Sequence, residues 1–500
     1  MERTFDRFSA LDSFFLEVER DDSPMHLGAV CLFEDVGPSD RRITLRRLRA
    51  HIEARLDRIP RYRQRLMRVP FEGHPVWVDA ADFDITDHVR GVALPAPSSP
   101  GHLEETVSWI LSRPLSRKRP MWEIWLIDGL PQGGFALACK THHCVADGLG
   151  AAALLCAILG TEPFSIPETP RAWRPRPLPS GADLLRDAVT SRVRGATALA
   201  ASALGQATLA PADMIDGATS MWSALRTAAS AAWTPPAETL FDDPRGSDRR
   251  FLWWSVALDD VKRIGRRLGG TVNDVALTLV SEGYAQAALR SGVERNLRVY
   301  CPVGSAATPA STVTLGNRVS GMLVDLPAEC PDLRSRWNGV VAASRACKAS
   351  GSAEGTFLLE TVATALSPGL LSRLEGLVGG QRLFNLIVTN VPGPSFPLYL
   401  FEQKMTGVCP LVPLLHGQSI GIAIFSYAGT LTWGFHVDSA CVDAARQLRS
   451  AVAAATIRLA RLADDTVSAA KDKARPIPFP PKRAVSRQER EESESAAAAG

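Results

Sequence analysis

No run of about 18 apolar residues occurs in the chain, so no membrane-spanning helix is expected and contact with lipid would be peripheral. The nine cysteines include no CxxC pair and follow no regular spacing. An odd, scattered set of this kind argues against a disulfide framework and fits reduced thiols in a cytosolic protein. A large excess of charge is also missing. The 56 basic and 53 acidic residues leave a net +3, which argues against a broad nucleic-acid surface. No GxxxxGK sequence is present, so no phosphate-cradling loop of that type is expected. The first residues, MERTFDRFSALDSFF, are charged and lack the apolar core of a secretory signal.

What is present is length and core material. A chain of 500 residues suggests two or more domains, or one large two-lobed body, and an apolar fraction of 46% suffices for a sizeable core. Residues 11–34 open with a helix-like segment, then Pro24 to Gly28, then a strand at Ala29 to Phe33. Helical spacing of Leu45, Leu48, Ile52 and Leu56 predicts a helix over 43–58, followed by a basic loop from Arg61 to Arg68. A helix at 101–113 and a strand from Trp122 to Asp128 follow. This mixture suggests an α/β or α+β lobe over residues 1–162.

Six prolines between residues 163 and 180 forbid a continuous helix and mark a connector. Alanine-rich helices over 182–233, broken near Pro211, are expected to pack between lobes, with a membrane- or lipid-facing role as the alternative, and residues 163–240 read as connector and interlobe helices. A second lobe occupies 241–465. It has helices at Leu258 to Leu268 and Asn273 to Leu289, and strands at Val299 to Val303, Ser320 to Leu326, Leu386 to Thr389, Ile420 to Tyr427 and Thr430 to Val437. A final helix, Ala440 to Leu462, carries an apolar stripe of Leu448, Val452, Ala455, Leu459 and Leu462. The polar, Pro-rich and then Glu/Ser/Ala-rich residues 466–500 are expected to be disordered.

One stretch carries a chemical signal: His142-His143-Cys144-Val145-Ala146-Asp147-Gly148, of the form HHxxxDG. The run Phe135 to His143 alternates as a strand, with His143 on one face and His142 on the other. Both cannot point into one cleft unless the strand ends between them. Gly148 to Leu155 reads as a buried helix for which Asp147 is a suitable N-cap. A near-neutral imidazole so placed can take a proton from an alcohol and return it to a leaving group. His143 and Asp147 at i, i+4 could be read as metal ligands, but no third ligand is evident nearby and none is assigned. Cys144 has no independent support as a nucleophile and reads as a buried thiol.

Other segments have local readings of their own. Trp122 suits a packing anchor, Thr271 and Asp274 a capping box, and Asn390 to Pro394 a turn that ends a strand. Gly417-Gln418-Ser419-Ile420-Gly421 matches GxSxG, but a nucleophile elbow needs a helix after the serine, and Ile422 to Tyr427 reads as a strand.

HHxxxDG resembles the signature of the CoA-dependent acyltransferase superfamily, which includes chloramphenicol acetyltransferase-like enzymes and peptide-synthetase condensation domains. Pro120-Met121-Trp122-Glu123 resembles a PLW motif, and Gly269-Gly270-Thr271-Val272-Asn273-Asp274-Val275 an ND motif. Ser23-Pro24-Met25-His26, Gly316-Asn317-Arg318-Val319-Ser320, Thr389 to Pro394 and Ser426-Tyr427-Ala428-Gly429 complete the set. Together they resemble the bacterial wax ester synthase/diacylglycerol acyltransferase family over roughly residues 8–465.

The resemblance implies a two-lobed, chloramphenicol acetyltransferase-like fold with an active-site tunnel between lobes. It implies transfer of a fatty acyl group from acyl-CoA to diacylglycerol or a long-chain alcohol, with acyl-CoA as substrate and no cofactor. His143 would be the base, His142 an orienting partner, and Asp147 the residue that holds the loop through an ion pair. Asn273, Asp274, Gly148 and Trp122 would contribute substrate or oxyanion contacts, Asn273 foremost. The expected setting is cytoplasmic, against a membrane or lipid-inclusion surface, with a homodimer as a compatible assembly. Relatives carry a PVSxR-like run where this chain has Pro302-Val303-Gly304-Ser305-Ala306-Ala307-Thr308, and Arg318 is a candidate replacement for the missing arginine. That gap keeps open a lipid-surface binding protein of weak activity, and the shared HHxxxDG keeps open a condensation-type acyltransferase of polyketide or peptide products.

Overall fold

A computed structural model describes residues 4–34, 43–131, 133–163, 172–207, 239, 241, 246, 248–291, 297–304, 319–327, 329–349 and 384–473. In chain order the first half contains β1 (Phe5–Arg7), α1 (Ala10–Glu17), β2 (His26–Phe33), α2 (Leu45–Arg55), β3 (Gln64–Arg68), β4 (Pro75–Asp79), α3 (Ile85–His88) and β5 (Val89–Ala93). It continues with α4 (Pro100–Ser112), β6 (Trp122–Asp128), β7 (Phe135–His142), α5 (Gly148–Ile158) and α6 (Gly181–Ala207). The second half contains β8 (Arg249–Ala257), α7 (Leu258–Leu268), α8 (Val272–Ser291), β9 (Leu297–Gly304), β10 (Val319–Leu326) and α9 (Leu333–Ala349). It ends with β11 (Leu386–Pro392), β12 (Tyr399–Leu400), β13 (Gln403–Leu411), β14 (Ile420–Tyr427), β15 (Thr430–Asp438) and α10 (Val442–Lys473).

Two six-stranded sheets organise the lobes. The second-lobe sheet has the order β10-β9-β11-β14-β15-β8. The first-lobe sheet has the order β12-β13-β2-β7-β6-β5, so two of its strands come from the second half of the sequence. β13 pairs antiparallel with β2, setting Val408 opposite Cys31 and Leu411 opposite Gly28. Phe425 and Tyr427 of β14 are likewise buried in the first-lobe core beside Trp77 and Trp122. The lobes are therefore tied through a shared core as well as through the chain between them. A third, three-stranded sheet, β1-β4-β3, flanks the first lobe.

The central strand β7 is buried on both faces, which displaces the simple in-out alternation of its sequence. The cost falls on Lys140, only 1% exposed. Its ammonium donates to the carbonyls of Ile110 and Arg113 at the C-terminal end of α4 and lies 3.3 Å from Glu123 Oε2. Helix-end carbonyls carry partial negative charge, so a buried cation is compensated there. In α10, Leu448, Val452, Ala455 and Leu459 are fully buried at helical spacing, and Leu462 packs beside them.

Three expectations change. Residues 61–68, read as a basic loop, form a short 3-10 turn and then β3, which among the described residues is an edge strand paired with β4. An edge strand tolerates arginines because its outward side chains stay in water. The described first turns of α6 pack on the small first-lobe sheet and not between lobes: Leu184 and Ala188, one turn apart, lie on Phe5, Val76 and Val78. The final helix continues through residues 466–473, held by a bond from Arg267 to Asp464 and another from Arg334 to Thr466. Residues 208–233, Arg318 and residues 474–500 lie outside the described residues. Among those described, no helix is long and apolar enough to cross a membrane.

Candidate active site

β7 ends at His142, between the two histidines, and this decides their fates. His142 is still in register, opposite His26 of β2, and is 1% exposed. His143 is beyond the strand, in a turn closed by the bond from Val145 N–H to the His142 carbonyl. Its own N–H donates to the Met25 carbonyl at 2.8 Å. Its ring stacks on Phe15 of α1, with centroids 3.7 Å apart, and is half-buried. Asp147 then caps α5, its carboxylate accepting the Gly150 N–H at 2.8 Å.

The surroundings of His142 fix its tautomer. The Cys144 N–H donates to Nδ1 at 3.1 Å, so Nδ1 is the acceptor and the proton sits on Nε2. Nε2 lies 3.2 Å from Glu19 Oε1. The same oxygen accepts the Met25 N–H at 3.1 Å, while Arg117 donates Nε and Nη2 to Glu19 Oε2 at 3.0 and 2.8 Å. Burial alone would push the Glu19 carboxyl upward, but the bonds from His142 and Arg117 outweigh it and hold the carboxyl down at about 2. It is an anion at neutral pH. Next to it, His26 accepts the Leu115 N–H at Nε2; burial, with Lys140 and His142 nearby, holds it well below the ordinary histidine range, so it is neutral. Cys144 is buried, and that burial, reinforced by Asp12 and Glu19, pushes its thiol well above the ordinary range, leaving it a poor nucleophile.

The second lobe reaches this turn through β11. A Cβ built on Gly148 would fall 2.8 Å from Val391 Cγ2, so the first residue of α5 and the Thr389 to Pro394 segment touch across the lobes. A Cβ on Gly393 would meet the Ser426 carbonyl at 2.3 Å, and Gly393 N–H donates to Ser426 Oγ. Those two second-lobe motifs thus brace each other beside the histidine turn.

The remaining predicted site residues are placed as follows. Asp274 closes the expected capping box: its Oδ2 accepts from Thr271 N–H and Oγ1 at 2.9 and 2.7 Å, and its N–H donates to Thr271 Oγ1 at 3.3 Å. Asn273 stands beside it, half-buried, in the first turn of α8. Trp122 lies in the first-lobe core, 1% exposed, stacked between Tyr62 and His88, with Nε1–H donating to the Tyr62 carbonyl at 2.8 Å. Its role is to buttress β7: the Tyr62 hydroxyl bonds Thr141 Oγ1 at 2.8 Å, one residue before His142. Ser419 is fully buried directly before β14, so the GxSxG serine precedes a strand and forms no nucleophile elbow. Among the described residues, no three His, Cys, Asp or Glu side chains gather as a metal site. Glu19, Arg117 and Phe15 escaped the sequence reading. Glu19 is one of 53 acidic residues and lies four positions before Ser23, and nothing local marks it as the partner of a residue 123 positions on.

Comparison with known proteins adds independent findings. A family model described as the wax ester synthase/diacylglycerol acyltransferase catalytic domain matches residues 8–276, and one for the C-terminal domain of the same family matches residues 315–459. A probable diacylglycerol O-acyltransferase of Mycobacterium tuberculosis is 30% identical over 473 residues, covering 90% of this chain and 95% of that protein. A second, putative one from the same organism is 31% identical over 448 residues, covering 85% and 93%. Among solved structures, the wax ester synthase/diacylglycerol acyltransferase from Marinobacter aquaeolei VT8 superposes with a TM-score of 0.64 at 23% identity, covering 92% of this chain and all of that one. The starter condensation domain of rhizomide synthetase, in complex with C8-CoA, gives a TM-score of 0.55 at 16% identity, covering 93% and 96%. The likeness to these two structures is one of fold.

Proposed function

The chain belongs to the wax ester synthase/diacylglycerol acyltransferase family and is an O-acyltransferase of diacylglycerol or a long-chain alcohol; we propose that its donor is acyl-CoA and its general base His143. The observation that carries this reading is the end of β7 between the two histidines. It seals His142 in the sheet and leaves His143 as the member of the pair that is only half-buried.

His143 Nδ1 is buried, so Nε2 is the nitrogen assigned to proton transfer. Nε2 removes the hydroxyl proton as the alcohol oxygen attacks the thioester carbonyl. The carbon–oxygen bond forms and the carbonyl electrons move to oxygen. Asn273 is the assigned donor to that oxyanion. When the carbonyl re-forms, the carbon–sulfur bond breaks and the departing thiolate takes the proton from His143. The imidazole ends as it began, so the cycle balances without a redox or metal partner. Asp147 keeps the turn in place by capping α5, and Asp274 does the same for the helix start carrying Asn273. Both substrates carry long hydrocarbon chains, so the protein works in peripheral contact with a membrane or lipid-inclusion surface.

The test uses purified protein, palmitoyl-CoA, and dioleoylglycerol or hexadecanol as acceptor, with thiol release and lipid products both measured. Thiol release that depends on the acceptor, and an ester product, are the expected result. His143→Ala, folded by circular dichroism, should lose at least about 100-fold in rate, the lower range for acid–base catalysis. A fully active His143→Ala protein would remove His143 as the base.

A further inference from the structure

The Glu19 carboxylate stands against His142 directly and reaches His143 through Met25. On one side Glu19 Oε1 lies 3.2 Å from His142 Nε2 as an ion-pair contact, and the far side of that ring, Nδ1, accepts the Cys144 N–H. On the other side Glu19 Oε1 accepts the Met25 N–H, and the carbonyl of that residue accepts the His143 N–H. Both sides end in the peptide backbone of residues 142–144. The carboxylate is held from outside by Arg117, which grips Oε2 with two donors and also donates to the Leu16 carbonyl. The charged and titratable groups facing Glu19 are His142 from β7, Cys144 from the turn after it, His26 from β2 and Arg117 from the segment after α4. His26 is neutral and accepts a backbone N–H at Nε2, so it supplies no cation. His142 and Arg117 together keep an anion in a site only 8% exposed, where an unpaired carboxylate would be costly.

We propose that Glu19, held by Arg117, is the positioning residue of the histidine pair: it fixes His142 as the Nε2–H tautomer and thereby sets the turn that presents His143 to the substrate. Glu19 touches no reacting atom in this scheme; it acts through His142 and Met25. Loss of its charge frees the His142 ring to take the other tautomer, which would turn an N–H toward the Cys144 N–H and open the turn. The inference rests on His143 being the base.

The experiment compares Glu19→Gln, Arg117→Ala, His142→Ala and the double variant Glu19→Gln/His142→Ala with wild type and His143→Ala, using palmitoyl-CoA and dioleoylglycerol. Glu19→Gln should lower kcat about 10–100-fold, the usual cost of losing an orienting partner, with KM for palmitoyl-CoA within about twofold of wild type. Adding Glu19→Gln to His142→Ala should cost much less than Glu19→Gln alone, because both act along one path. Wild-type kcat in Glu19→Gln, a raised KM with kcat unchanged, or fully additive losses would overturn the proposal. Should Glu19→Gln not fold, Arg117→Ala carries the test, because its side chain is 39% exposed. A kcat lowered about 3–10-fold supports the proposal and an unchanged kcat overturns it. Activity retained in His143→Ala would instead sink the assignment of the base, whatever Glu19 does.

Discussion

Gly148 and Val391 meet across the two lobes with no room for a methyl group: a Cβ on the glycine would lie 2.8 Å from Cγ2 of the valine. Gly148→Ala should therefore force α5 and β11 apart. Helix propensity favours alanine by up to about 1 kcal/mol, while overpacking typically costs about 1–3 kcal/mol, so a net loss of stability is expected. The double variant Gly148→Ala/Val391→Ala should recover activity and stability together. A Gly148→Ala protein with wild-type kcat would show that the lobes have slack at this contact.

Asp147 caps α5, and asparagine caps a helix as well as aspartate does. Asp147→Ala should cost about 1 kcal/mol in urea denaturation, whereas Asp147→Asn should stay within about 0.5 kcal/mol of wild type. Equal losses in the two variants would assign the stabilisation to the charge and not to the cap.

Trp122 stacks in the first-lobe core and donates to the Tyr62 carbonyl. Trp122→Phe keeps most of the stacking but strands that carbonyl, so a stability loss of about 1–3 kcal/mol is expected. KM for palmitoyl-CoA should stay within about twofold. A raised KM at unchanged stability would return Trp122 to the substrate site.

His436 is fully enclosed and bonded through Nδ1 to the Val412 carbonyl, and burial holds it down at about 4. In the unfolded chain it titrates near about 6.5. Between those values the unfolded chain binds the extra proton, so stability rises with pH and is lost as pH falls from about 6.5 to about 4. The loss over that window is on the order of 3 kcal/mol. Urea midpoints at several pH values should show a shallower acid slope for His436→Asn than for wild type; an identical slope would exclude His436 as a source of the acid sensitivity.

The motif HHxxxDG and its helix cap were legible because they are local. The strand ends within the same few residues that the cap begins, and hydrogen bonds among near neighbours decide both. The strand Trp122–Asp128 and the helix Leu258–Leu268 were legible for the same reason, the latter ending on Gly269 with φ of 76°. The short elements β1, β4, α3 and β5, and also β8, α9, β12 and β13, were not recognised. β13 makes sense only as a partner of β2, some 380 residues earlier in the chain, and no periodicity encodes that pairing.

The amino-acid sequence by itself determined the chemistry available: a histidine pair at a strand end, a helix-capping acid behind it, and a set of motifs in an order that one enzyme family shares. Tertiary structure alone decided which histidine is sealed and which is presented, because that depends on where β2 and β6 stop pairing with β7. It also decided that Glu19 serves His142, that Trp122 supports the strand, and that Gly148 abuts the second lobe. These are relationships between residues far apart in the chain, set by packing and by the need to compensate every buried charge, and neither is written in local sequence.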